Sequence, residues 1–84
     1  MNLTDIEIEI LKIVENKLNN KIKVKTNDLL LDVGIDSVNI IEMVIEIETK
    51  FDFEFEESML SYNTLRSIDS ISKYVYKRIN KIQK

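Results

Sequence analysis

The sequence predicts an all-α fold, a small four-helix bundle of three longer helices and one short one, with a long first loop. Three observations carry that expectation. Apolar residues recur at gaps of three and four in three separate stretches, the stripe of an amphipathic helix. Proline is absent and glycine occurs once, so nothing breaks those stretches from within. The 84 residues suit a single domain spanning 1–84, with no repeat or low-complexity linker to divide it.

The first helix starts near Asn2 or Thr4, either of which can cap it, and its stripe is Leu3, Ile6, Ile10 and Ile13. Asp5 and Glu7 lie near the positive end of its dipole. It reaches about Leu18, where Asn19, Asn20 and Lys21 end it. A connection follows to about Asp36. It holds Leu29, Leu30, Leu31, Val33 and Ile35, too many apolar side chains for a solvated loop, so it is expected to pack over the core. Gly34 marks the place where the backbone takes an angle that other residues avoid.

The second helix is read from about Ser37 to Lys50 and carries two apolar stripes. Ile40, Val44, Ile47 and Phe51 form one, and Val38, Ile41 and Ile45 form the other. One stripe satisfies a small bundle; the second asks for burial under the connection or for a partner, and Glu42, Glu46 and Glu48 rim it. Glu42 and Glu46 repel each other one turn apart, while Glu46 and Lys50 are ordered for a pair worth about 0.2–0.5 kcal/mol. Beyond them FDFEFEE, like IKVK earlier, alternates with period two and permits a short antiparallel strand pair. Met59, Leu60 and Tyr62 fit one short helical turn. Asn63 or Thr64 then caps a last helix striped by Leu65, Ile68, Ile71, Val75, Ile79 and Ile82. Lys77, Arg78, Lys81 and Lys84 complement its C-terminal dipole, and the three tyrosines, Tyr62, Tyr74 and Tyr76, are read as packing and rim residues.

Composition narrows the function. Without cysteine or histidine the chain has no disulfide, no thiolate metal site and not the commonest general base, so an enzyme is poorly equipped. Asp52, Glu54 and Glu56 lack the glycine and the spaced terminal glutamate of a calcium loop, and no metal site is expected. The chain shows neither a membrane-length apolar run nor the basic and apolar regions of a signal peptide, which points to the cytoplasm. Charge is segregated. Residues 1–27 carry five lysines and four acids (+1), residues 28–57 one lysine and ten acids (−9), and residues 58–84 six bases and one acid (+5), summing to −3. The acidic middle repels phosphates and argues against nucleic acid, whereas a basic protein surface and a merely solvated face both fit it.

Ser37 opens the second helix within GIDSVNI, where a plain N-cap and a point of covalent attachment both fit. This stretch, the surrounding LLLDVGIDSVNIIEMVIEIETKFDFEF and the order of helices resemble the acyl carrier protein family, which includes peptidyl and D-alanyl carriers. The resemblance covers nearly the whole chain. Its specific parts are Gly34 to Val38 opening a helix and the Phe51-Asp52 step closing it.

By that resemblance, Ser37 takes 4′-phosphopantetheine from coenzyme A through a phosphopantetheinyl transferase, and Asp36 is the motif acid that serves the transferase and its metal. A phosphodiester at a helix start sits where free N–H groups and the dipole favour an anion. The arm brings the thiol that a chain without cysteine lacks, so the protein itself is no enzyme. The resemblance further implies a free-standing monomeric carrier of acyl thioesters for fatty-acid, polyketide or related synthesis. Its partners would be an acyl-loading or adenylating enzyme and condensing and tailoring enzymes, acting in trans. Val38, Ile41 and Ile45 would make the apolar contacts with them, and Glu42, Glu46 and Glu48 the acidic ones. Thr49 and Lys50 stand where fatty-acid carriers are often acidic, and FDFEFEE lacks the usual proline, so a peptidyl, aminoacyl or D-alanyl carrier stays open. Two readings of other classes are an unmodified acidic interaction module and, last, a small hydrolase using Ser37 without an evident base.

Overall fold

In the computed structural model, which describes residues 1–80, Asn2 accepts the Asp5 N–H at 2.8 Å and so caps α1 (Leu3–Lys17). The helix stops where Asn19 and Asn20 both take φ 58°, a left-handed conformation that asparagine tolerates better than most residues. Next come α2 (Ser37–Phe51), a 3₁₀ turn (Glu57–Met59), α3 (Tyr62–Leu65) and α4 (Ile68–Asn80). The expected all-helical class is therefore observed, with three long helices and a short α3. Ile82, Lys81 and Lys84 of the expected last helix lie outside the described residues.

The core is made where α1 packs on α4 and α2. Ile6, Ile10 and Val14 of α1, Met43 and Ile47 of α2, and Ile68, Ile71 and Val75 of α4 are buried. Each such aliphatic side chain contributes about 1.5–3 kcal/mol relative to leaving it in water. Val14, not Ile13, completes the buried stripe of α1, and Met43 joins a core face of α2 that the expected stripe omitted. The long connection packs over the core through Val24, Leu30 and Ile35, while Leu29 and Leu31 face outward. It is tied twice to the far end of the chain, by Leu30 N–H to the Arg66 carbonyl and by Asp69 N–H to the Thr26 carbonyl, each at 2.8 Å.

Two expectations are corrected. The alternating segments form no strand pair, and no strand occurs among the described residues. Phe53 and Phe55 do turn inward and Glu54 and Glu56 outward, but side chains satisfy the backbone in place of a neighbouring strand. The Glu48 carboxylate accepts Phe55 N–H at 2.8 Å, the Tyr74 hydroxyl accepts Glu56 N–H at 3.1 Å, and Arg78 donates to the Glu54 carbonyl at 2.8 Å. Val24 N–H goes likewise to the Glu15 carboxylate at 3.1 Å.

The last helix does not start at Asn63 or Thr64. Those residues and Leu65 belong to α3, and Ser67 begins α4 by accepting Ser70 N–H at 3.1 Å while the Ser70 hydroxyl accepts Ser67 N–H at 3.2 Å. The ties to Arg66 and Asp69 fall at this break, where a continuous helix would use the same groups internally.

One core group is unmatched. The Ser72 hydroxyl is fully buried in α4 with no hydrogen-bond partner among the described residues. Ser72→Ala removes a desolvated hydroxyl and should raise stability by about 1 kcal/mol. Urea unfolding reads this as a higher midpoint at unchanged slope; a lower midpoint would mean that the hydroxyl has a partner.

Candidate functional site: the start of α2 and its outward face

The approach to α2 is built on Leu30. Its carbonyl accepts Val33 N–H at 3.2 Å and Ile35 N–H at 3.0 Å, and buried Ile35 then sets the entry of the helix. Gly34 makes the bend with φ 107°. A Cβ there would meet nothing closer than Leu18 Cδ2 at 3.5 Å, so the backbone angle, not crowding, requires glycine.

Asp36 is the N-cap. Its Oδ1 accepts Asn39 N–H at 2.8 Å and Asn39 Oδ1 accepts Asp36 N–H at 3.2 Å, a reciprocal capping box. Ser37 is therefore not the cap but the first residue inside the helix, with an exposed side chain. The capping box occupies Asn39 N–H, and Ile40 N–H bonds the Asp36 carbonyl at 3.0 Å. The Ser37 and Val38 N–H groups, also in the first turn, belong to the four that a helix start leaves without an intrahelical partner. Asn39 went unnoticed in the sequence, although Asp followed three residues later by a side-chain acceptor is the legible signal of such a box.

The outward face of α2 carries Val38, Ile41 and Ile45, which are 61%, 62% and 57% exposed, so the second apolar stripe is not core. Leu31, Leu60 and Tyr62 are exposed as well and border a cleft of about 230 Å³ that reaches Ile40 of α2 and Arg66. The sequence singled out neither Leu31 nor Leu60 as a surface residue, because burial of a loop leucine depends on the direction its backbone is held.

The three acids are each engaged inside the chain. Lys17 of α1 bridges Glu42 at 3.5 Å and also pairs with Glu46. Glu48 is spent on Phe55 N–H. The expected Glu46–Lys50 pair does not form, since Lys50 reaches Glu9 of α1 at 2.9 Å. The hydrogen bond to Glu46 holds the Lys17 ammonium above the usual lysine range, and that to Lys50 holds the Glu9 carboxyl below the usual carboxylate range. The Lys17 contribution is thus complete below the ordinary lysine value and lost as pH rises through the raised one; that of Glu9 is lost as pH falls through its lowered one. Both pairs stand at neutral pH.

Among the described residues no cluster of His, Cys, Asp or Glu makes a metal site, and no helix is long and apolar enough to cross a membrane. A chain in the crystal structure of Bradyrhizobium japonicum glycine:carrier protein ligase complexed with glycylated carrier protein has the same fold. The TM-score is 0.69 at 23% identity, over 80% of this chain and 95% of that one. No curated protein matches the sequence. The family model described as "Phosphopantetheine attachment site" matches residues 8–75, which include α2 and the whole approach to Ser37. By that match the chain belongs to the phosphopantetheine-attachment family of small helical carrier domains.

Proposed function

We propose that this protein is an acyl carrier whose Ser37 hydroxyl bears the family's 4′-phosphopantetheine. The observation that carries the reading is the position of Ser37, exposed as the first residue of α2 while Asp36 takes the capping duty beside it. The residues fit the group: the hydroxyl is open to a transferase, and the Ser37 and Val38 N–H groups suit a phosphodiester. When attached, the arm supplies the thiol on which an acyl group is held as a thioester. The polypeptide itself binds and orients, and the thiol, which its cysteine-free sequence lacks, comes with the arm.

Val38, Ile41 and Ile45 present the surface on which cytoplasmic partners dock: the phosphopantetheinyl transferase, an acyl-loading or adenylating enzyme, and condensing and tailoring enzymes. A second reading, an aminoacyl, peptidyl or D-alanyl carrier, is favoured by one observation. Met43 and Ile47 fill the space beneath α2, and the cleft beside it is small and open, which suits a compact cargo better than a long alkyl chain.

The intact mass after incubation with coenzyme A, magnesium and a broad-specificity phosphopantetheinyl transferase tests the reading. The wild type should gain one phosphopantetheine and Ser37→Ala none, with both equally folded. A folded wild type that gains nothing, with this transferase or with extract of the native host, would favour the interaction-module reading instead.

A pair of variants separates the two tasks of Asp36. Asp36→Ala should lose about 1 kcal/mol with the cap, whereas Asp36→Asn, an equally good cap, should stay within a few tenths. Both should load more slowly if the carboxylate serves the transferase; a normal rate for Asp36→Asn would confine Asp36 to capping.

A further inference from the structure

The surface of α2 differs electrically from what its composition implies. Residues 28–57 carry ten acids and one lysine, yet two of the acids on α2, Glu42 and Glu46, share a cation brought from α1. Lys17 lies between Glu42 and Glu46, so the three groups together carry +1 − 2 = −1. Arg66 lines the cleft on the flank formed by Leu31, Leu60 and Tyr62. Glu48 is held by a backbone N–H and Lys50 by Glu9. Beside these tied acids lies an exposed apolar strip: Val38, Ile41 and Ile45, with Leu31, Leu60 and Tyr62 next to them.

Resting on the carrier reading, we propose that Lys17 sets partner choice. By holding Glu42 and Glu46 it leaves α2 with an apolar docking face, which fits enzymes whose contact surface is apolar rather than built on clustered arginines and lysines. Two bare carboxylates one turn apart would draw a basic surface over roughly a Debye length, about 8 Å at physiological salt. With Lys17 between them the charge of the three groups is halved, from −2 to −1, before a partner arrives, and more of the recognition falls to burial of the apolar side chains. The Lys17 side chain is only 14% exposed, so its stem is packed and its ammonium is placed by the α1–α2 contact, not by a freely moving surface chain. Lys17 acts here as a positioning residue, through the charges of Glu42 and Glu46.

The test is the kcat/KM for loading of Ser37 by a broad-specificity phosphopantetheinyl transferase, measured in the full chain between about 0.05 and 0.5 M NaCl. Wild type should vary by less than about twofold across that range, and Lys17→Arg should behave the same. Lys17→Met keeps the packed stem but frees the carboxylates, and its kcat/KM should become salt-dependent by about fivefold or more. Ile41→Asp, at an exposed position, should keep the fold by circular dichroism yet lose about tenfold at every salt concentration. A steep salt dependence in wild type that Lys17→Met leaves unchanged would overturn the proposal. So would a wild-type dimer dispersed by Ile41→Asp, since a second copy would then be the occupant of this face. Absence of loading at every salt concentration is a separate outcome: it overturns the carrier reading, and this inference with it.

Discussion

Everything at the Ser37 end depends on how the connection between α1 and α2 is held, and Leu30 holds it. Ordering each residue of a long irregular segment costs about 1–2 kcal/mol of backbone entropy, which must be offset by burial and hydrogen bonding. Leu30 supplies both. Its side chain is buried, its N–H bonds the Arg66 carbonyl, and its carbonyl takes the N–H groups of Val33 and Ile35. With the second tie, Asp69 N–H to Thr26, the same segment also fixes where α3 ends and α4 begins. The presentation of Ser37 and the break between the last two helices are therefore one mechanical unit.

The other end of α2 is fixed by side chains acting as a strand would. Phe53, Phe55 and Tyr74 cluster in tilted and edge-on contact with ring centroids 5.2 to 6.2 Å apart, and Arg78 lies over Phe53 at 5.4 Å while donating to the Tyr74 hydroxyl at 2.7 Å. Arg78 was expected to serve the dipole of α4; it serves the neighbouring extended segment instead. This latch also explains Glu48. A carboxylate needed to satisfy Phe55 N–H is a structural group before it is a surface charge.

These ties give α2 a division of labour along its circumference. One side is core, one is tied to α1 through Lys17 and Lys50, and the remaining arc is exposed apolar surface next to Ser37. A carrier needs little more. Its chemistry resides on a borrowed arm and in its partners, so selection on the polypeptide falls on keeping one hydroxyl accessible and one face recognisable.

The sequence by itself determined the class of fold, the span of α1 and α2, the bend at Gly34 and the identity of the modified family, because these rest on local periodicity, a unique glycine and a short motif. Even where it named the right residues it left their tasks open: Asp36 rather than Ser37 caps the helix, and the alternation at FDFEFEE signals a half-buried extended segment rather than a strand. Alternation reports which side chains face inward and is silent on which groups satisfy the backbone. Only the tertiary structure decided the burial of Leu30 against the exposure of Leu31, and the exposure of Val38, Ile41 and Ile45. It alone decided the electrical character of α2 as well. Coulomb interactions act between groups near in space, and Lys17 and Arg66 come from parts of the chain that no count over residues 28–57 includes.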